Sequence, residues 1–120
     1  NDFKKIKVVG KTMKDQRKLI KLAIESEKAG AKGILLECVA KETAKKITSS
    51  VSIPTIGIGS SNYCDGQVLV FDDLIKINSI QHKPKFVKHY MNFESLAKKA
   101  INRYNKDVKV RKYPSKKHTY

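Results

Sequence analysis

Gly33-Ile34-Leu35-Leu36-Glu37-Cys38-Val39 is a short, nearly continuous apolar run, and it begins three residues after an amphipathic segment ends. Apolar residues at successive positions predict a strand buried on both faces, the pattern of a parallel sheet covered by helices. A single carboxylate, Glu37, interrupts the run near its C-terminal end. On the upstream side, residues 14–30 read as a helix. Gln16, Ile20, Ala23 and Glu27 share a face, Leu19 and Ala23 form an i, i+4 pair, and Gly30 supplies a left-handed stop. Downstream, Ala40, Ala44, Ile47 and Val51 recur at helical spacing with Lys41, Lys45 and Lys46 opposite, and Ser49-Ser50 closes this second helix.

Ile53-Pro54-Thr55-Ile56-Gly57-Ile58-Gly59 is the second strand, with Pro54 near its start, where a missing amide costs least. A polar loop from Ser60 to Gly66 leads to a third strand, Gln67-Val68-Leu69-Val70-Phe71, that breaks at Asp72-Asp73. Alternating helices and buried strands predict an α/β fold with parallel pairing. Pro84 is expected to open a helical turn with Val87, Tyr90 and Met91 on one face. Asn92 then caps a longer helix whose stripe of Leu96, Ala97, Ala100, Ile101 and Tyr104 reads as core or interface. The basic tail, 107–120, carries Lys109, Arg111, Lys112, Lys116 and Lys117 and is expected to be mobile or tied down by a partner. No repeat or low-complexity linker divides the chain, so residues 1–120 are read as a single partial domain. Three such strands leave two bare edges and need helices on both faces, which points to part of a larger α/β unit.

Composition excludes several classes of function. The 120 residues carry 26 Lys+Arg against 11 Asp+Glu, a formal net charge of +15. That excess attracts polyanions. Yet only Arg17, Arg103 and Arg111 are arginines, and the lysines are scattered without a stripe interleaved with aromatics. Arginine's planar fork is the preferred reader of phosphates and base edges, so no specific nucleic-acid partner is expected. The charge reads as a solvated surface or one that meets an acidic partner. Even Val68-Leu69-Val70-Phe71 runs straight into Asp72-Asp73, far short of the ~20 apolar residues of a membrane span. No apolar region follows Asn1-Asp2-Phe3-Lys4-Lys5, so no secretory signal is expected and the cytoplasm is the expected location. Cys38 and Cys64 lack metal-site spacing, and His82, His89 and His118 form no ligand cluster, so no metal site made from this chain alone is expected.

Glu37 is the candidate for chemistry. A carboxylate inside an apolar strand would be desolvated, and desolvation raises its pKa toward the range useful for proton abstraction. It also stands near the strand's C-terminal end, where ligands and catalytic side chains collect in parallel sheets and barrels. The alternative is a structural glutamate paired with one of the lysines. Gly57-Ile58-Gly59-Ser60-Ser61-Asn62 can be read as a phosphate-cradling turn, but the third glycine and following helix of the dinucleotide fingerprint are missing, which favours a plain strand-to-loop transition. Asp65-Gly66 is a turn signal, and Asp72-Asp73 reads as a strand end in preference to a cation ligand, since hard cations need several oxygens.

Several motifs in order carry a resemblance. Leu35-Leu36-Glu37-Cys38-Val39, Ile53 to Gly59, Asn62, Asp65-Gly66-Gln67-Val68-Leu69-Val70, His82-Lys83-Pro84-Lys85-Phe86-Val87 and a tail with Tyr113-Pro114 and His118-Thr119-Tyr120 resemble the ketopantoate (3-methyl-2-oxobutanoate) hydroxymethyltransferase family. The resemblance runs from Lys7 onward. It implies a (β/α)8 TIM barrel, of which this chain is the C-terminal part with about the last three strands and terminal helices. It also implies a transferase of pantothenate biosynthesis. That enzyme moves a hydroxymethyl group from 5,10-methylenetetrahydrofolate to 3-methyl-2-oxobutanoate and yields 2-dehydropantoate.

Within that family Mg²⁺ is held by acidic residues of the N-terminal half, so the resemblance implies no metal ligand in this chain and no substrate-binding residue that can be named. Glu37 matches the proton acceptor that takes the C3 proton. Implied partners are the small-molecule substrates and a second copy in a homo-oligomer or the missing N-terminal half. Three departures affect the mouth of the barrel and so the folate geometry. Gly59-Ser60-Ser61 replaces Gly-Ala-Gly, Asp72-Asp73 replaces a His-Asp pair, and Lys76 stands where a glycine is usual. The chain alone is expected to be inactive without the missing strands. The alternative is an inactive truncated remnant that acts at most as an interaction module.

Overall fold

A computed structural model of the chain describes residues 6–77 and 83–120. The N-terminal pentapeptide and His82 of the 82–87 motif lie outside the described residues. The chain divides into two units, one formed by residues up to 69 with 83–87 and the other by 70–77 with 88–120.

The first unit opens with helix α1, Met13–Lys28. Thr12 caps it, its hydroxyl accepting the Asp15 N–H at 3.1 Å, and Asp15 adds a negative charge where the helix dipole favours one. Gly30, at φ 98°, carries the chain out of the helix through a conformation that suits glycine. Strand β1 is Ile34–Glu37, helix α2 is Lys41–Ser50, strand β2 is Thr55–Ile58 and strand β3 is only Gly66–Gln67. The three strands form one sheet in the order β1-β2-β3, both pairs parallel. The α/β fold with parallel pairing is thus as expected. Val9 adds an isolated parallel bridge to Val39, beyond the end of β1.

Ala23 of α1, Ala44 and Ile47 of α2, and Leu36, Val39 and Cys64 form the buried cluster, with Leu19, Ile20, Ile34 and Val51 packed against it. Ile47 is 1% exposed, and burying a side chain of that size is worth about 1.5–3 kcal/mol. A polar network runs beside this cluster. Buried Gln16 donates to Thr43 Oγ1 at 3.0 Å, Thr43 donates to the Gly10 carbonyl at 2.7 Å, and Lys46 donates to Gln16 Oε1 at 2.8 Å.

Burial of β1 on both faces is not observed. Leu36 is buried, but Leu35 is 60% exposed and Glu37 is exposed, because nothing among the described residues covers that side of the sheet. The third strand is also shorter than expected. Val68 N–H still bonds to the Gly57 carbonyl at 3.0 Å, and Phe71–Ile75 is then a helix, α3, in the second unit. Asp72 and Asp73, expected to end a strand, lie instead in the first helical turn, where carboxylates complement the dipole.

In the second unit Lys76 ends α3 in the left-handed region, at φ 56°. That conformation accounts for a preference for glycine at this position, and a lysine there carries strain on the order of 1 kcal/mol. The Tyr90 N–H bonds the Leu74 carbonyl at 2.8 Å and His89 Nδ1 lies 2.5 Å from the Asp73 carbonyl oxygen, which fastens residues 89–90 to α3. Helix α4, Phe93–Lys109, starts where expected, with Asn92 Oδ1 accepting the Ser95 N–H at 3.1 Å. Its stripe is not core in this chain, since no residue of α4 is buried. The tail folds back on α4. The Lys112 and Tyr113 amides bond to the Asp107 carbonyl, and the Tyr113 ring meets Tyr104 edge-on at 5.6 Å.

The helical turn expected from Pro84 is only a turn, closed by Val87 N–H to the Pro84 carbonyl at 3.0 Å in the first unit. Proline fixed the entry angle, but no run of helical hydrogen bonds follows it.

Thr55, fully buried, connects β2 to the following loop. Its N–H and hydroxyl both reach Asp65 Oδ2, at 2.8 and 2.9 Å, and its hydroxyl lies 2.8 Å from that of Thr48. The Thr55 amide first, and its hydroxyl second, hold the Asp65 carboxyl below the usual carboxylate range. A depressed folded-state value means stability that is present above the ordinary range and lost as pH falls through the lowered one. Thr55→Val should cost about 1–3 kcal/mol in denaturant unfolding. It should also move the Asp65 titration, read by carboxyl ¹³C NMR, part of the way back up. An unmoved Asp65 titration would refute the assignment.

Candidate active site

Glu37 is the last residue of β1 and pairs in register with Ile58, the last residue of β2. It therefore stands at the C-terminal end of a parallel sheet, where strand ends and their following loops converge. Alternation directs Leu36 to the helices and Leu35 and Glu37 to the uncovered side. The expected desolvation is corrected by this exposure: the apolar neighbours in sequence point away from the carboxylate or are themselves exposed. Nor is Glu37 the glutamate of a structural ion pair, since it makes none among the described residues.

Cys38 turns the chain immediately after Glu37. Its N–H makes the last bond of the β1–β2 ladder, to the Ile58 carbonyl at 2.9 Å, and its φ of 51° is left-handed. That conformation costs a non-glycine residue about 1–2 kcal/mol. It is held on one side by Val9, whose N–H bonds the Cys38 carbonyl at 3.0 Å and whose carbonyl accepts the Ala40 N–H at 2.8 Å. On the other side stands Ser60, which bonds to both Leu36 and Val39. Burial pushes the Cys38 thiol up from its ordinary value, and the neighbouring Glu37 carboxylate adds to the effect.

The loop after β2 is fixed from three directions. Gly59, at φ 64°, lies under the ring of Phe86, so close that an added Cβ would fall 2.6 Å from it. Only glycine fits there. Lys45 Nζ sits 4.4 Å from the centre of the Tyr63 ring, a cation–π contact that ties the loop to α2. Gln67 donates to the Ser61 carbonyl at 2.7 Å, and the Ser61 hydroxyl accepts the Tyr63 N–H at 3.2 Å. Between this loop and the 83–86 turn lies a cavity of about 1230 Å³, lined by Cys38, Ser60, Asn62, Asp65 and Phe86 among others. Glu37 is not part of its wall.

Among the described residues no three His, Cys, Asp or Glu side chains come together as a metal site. Asp72 and Asp73 belong to the second unit, in α3. Ser60 and the Lys45–Tyr63 contact carried no sequence signal, because each depends on partners some 20 residues away that periodicity does not pair.

A family model described as ketopantoate hydroxymethyltransferase matches residues 1–116. Proteins named 3-methyl-2-oxobutanoate hydroxymethyltransferase are similar throughout. That of Thermosipho melanesiensis is 45% identical over 120 residues, covering 100% of this chain and 45% of the relative. That of Clostridium botulinum is 46% identical over 120 residues, covering 100% and 43%. That of Aliarcobacter butzleri is 48% identical over 114 residues, covering 95% and 42%. The chain thus spans less than half the length of the curated relatives it matches.

The buried Cys38 thiol offers a direct probe of this geometry. In a Cys64→Ala background, alkylation of Cys38 by iodoacetamide should be slow at neutral pH and rise only above the ordinary thiol range. Glu37→Gln removes a negative neighbour, lowers the thiol's pKa, and should speed alkylation at pH 8 by roughly two- to tenfold. A rate that stays the same or falls would place Glu37 away from the thiol.

Proposed function

Because this chain belongs to the ketopantoate hydroxymethyltransferase family, we propose that it forms the C-terminal part of a (β/α)8 barrel with that activity. The substrates are 3-methyl-2-oxobutanoate and 5,10-methylenetetrahydrofolate, the product is 2-dehydropantoate for pantothenate synthesis, and the setting is the cytoplasm. The observation that carries this reading is the position of Glu37, exposed at the C-terminal end of a parallel strand and without an ion pair among the described residues. Leu35 and Glu37 occupy the uncovered side of the sheet, the side that would line a barrel once further strands close it. Among the described residues no helix is long and apolar enough to cross a membrane.

Glu37 acts as the proton acceptor. Its carboxylate takes the proton from C3 of the oxoacid, and the C–H electron pair passes into the C2–C3 bond as the ketone becomes an enolate. Water releases the methylene carbon from both folate nitrogens at the oxidation level of formaldehyde, leaving tetrahydrofolate; the nucleophilic C3 bonds to that carbon, and the C=O pair moves to its oxygen, which takes the proton held by Glu37 and becomes the hydroxyl of the product. Mg²⁺ belongs to the proposal only as an ion held outside this chain. The described residues bring no ligand cluster together that would hold it. Completion comes from the missing N-terminal half, supplied by the same polypeptide or a companion, or from copies in a homo-oligomer.

The test joins this chain to the part of the Thermosipho relative that it does not cover. NMR in D₂O with added Mg²⁺ then follows exchange of the C3 proton of 3-methyl-2-oxobutanoate, a half-reaction that needs no folate. Glu37→Gln should slow exchange about 100-fold or more. An undiminished rate would remove Glu37 from the role of base. A hybrid that unfolds cooperatively yet gives no exchange would favour an inactive remnant serving as an interaction module.

A further inference from the structure

Beyond α4 the tail makes a single 3₁₀ turn, Lys116–His118, whose N-cap is Ser115. Ser115 Oγ accepts the Lys117 N–H at 3.4 Å, and the His118 N–H bonds the Ser115 carbonyl at 2.8 Å. The return contact comes from His118, the third residue of the turn. Its Nδ1 receives the Ser115 N–H at 3.3 Å and lies 2.8 Å from the Ser115 hydroxyl oxygen. This reciprocal bonding is a capping box. Its return member is ordinarily Glu or Gln, whose side-chain oxygen accepts at any neutral pH. Here it is an imidazole, and a ring nitrogen accepts only while it carries no proton.

The contact therefore depends on protonation. With the neutral ring's proton on Nε2, Nδ1 is free to receive the Ser115 amide. In the imidazolium both ring nitrogens are donors, so Nδ1–H then faces the Ser115 N–H. The hydroxyl contact survives by reversing, since an O–H both gives and receives, but an amide N–H cannot reverse. The imidazole also lies 5.3 Å from the Tyr113 ring, which meets Tyr104 of α4, so the box is seated on α4 through two tyrosines. Around it stand the phenols of Tyr113 and Tyr104, Lys116 and Lys117 of the turn, and Asp107 of α4, whose carbonyl accepts the Tyr113 N–H at 3.2 Å. Among these side-chain types only histidine ordinarily changes charge between about pH 5 and 8.

We propose that the tail carries a proton-operated latch: neutral His118 holds Ser115 and keeps residues 115–119 in their turn against α4, and a proton on Nδ1 opens it. The latch is closed above the range in which histidine titrates and is released as pH falls through that range. Residues 112 and 113 stay in place, because their amides bond to the Asp107 carbonyl. Acidification thus frees a short basic segment with Lys116 and Lys117 and leaves α4 intact.

NMR on the full ¹⁵N-labelled chain between about pH 8 and pH 5, beside His118→Gln and His118→Ala, tests the latch. At the upper pH the ring ¹⁵N shifts of His118 should report a proton on Nε2 and none on Nδ1. On acidification the Ser115 amide should shift in step with the ring. Backbone order parameters at 115–119 should fall from about 0.85 to about 0.6 or below, with Tyr113 unchanged. His118→Gln supplies an accepting oxygen that no proton blocks, so its turn should stay ordered at both ends of the range. His118→Ala should be loose at both. A proton on Nδ1 at the upper pH overturns the proposal, as do order parameters that hold steady in the parent while the ring titrates. So does a His118→Gln turn that loosens with acid as the parent's does, or a His118→Ala turn as ordered as the parent's at the upper pH.

Discussion

Leu36 and Val39 meet Ala23, Ala44 and Ile47 in a cluster that seals one side of the parallel sheet, and strand geometry turns that single contact into a rule for every neighbour. Because successive strand residues point to opposite sides, fixing Leu36 inward fixes Leu35 and Glu37 outward, and the parallel register carries the same alternation into β2. A slip by one residue would bury the carboxylate and expose Leu36. Small residues at Ala23 and Ala44 let the helices approach the sheet closely, so the packing that stabilises the fold is the same packing that presents Glu37 at the strand end.

Polar groups complete what apolar packing leaves undone. Gln16, Thr43 and the Gly10 carbonyl form one buried chain of bonds, and Thr48, Thr55 and Asp65 form another at the start of β2. Both join segments distant in sequence, and among the described residues no buried side-chain nitrogen or oxygen lacks a partner. The Ser60 bridge follows the same economy at the other end of the strands, where the ladder stops and the backbone turns. The hydroxyls of Thr43, Thr55 and Ser60 each both give and receive, which makes small polar residues natural fasteners at the ends of short strands.

Much of this was legible in the sequence where local period and local chemistry agree. The stripe of α1, the Asn92 cap of α4 and the apolar runs of β1 and β2 each specify an element within a dozen residues. Where two local meanings compete, the reading failed. Asp72-Asp73 serves equally to end a strand or begin a helix, and the short-range signal after Val70 does not separate the two. Pro84 fixes φ at the head of a turn as well as at the head of a helix. A carboxylate interrupting an apolar run marks Glu37, but the run does not report burial, since Glu37 is exposed. The run Ile34 to Val39 has an apolar residue on a side that the described residues leave open. The Ser60 bridge and the Tyr63 contact arise only once α2, β1 and the loop are brought together, and no window of sequence contains them.

The open side of the sheet coexists with a net charge of +15, and the two pull in opposite directions. At low ionic strength, mutual repulsion holds copies of the chain apart although Leu35 and Val68 are bare. Added salt shortens the range of that repulsion to about 10 Å at 0.1 M and about 3 Å at 1 M, while apolar attraction is left intact or strengthened. Colloidal behaviour is thereby inverted relative to a polyanion-binding protein: salt, which would release a nucleic acid, drives this chain toward self-association. Purification conditions chosen to strip bound polyanions are then the conditions under which the bare sheet is least protected.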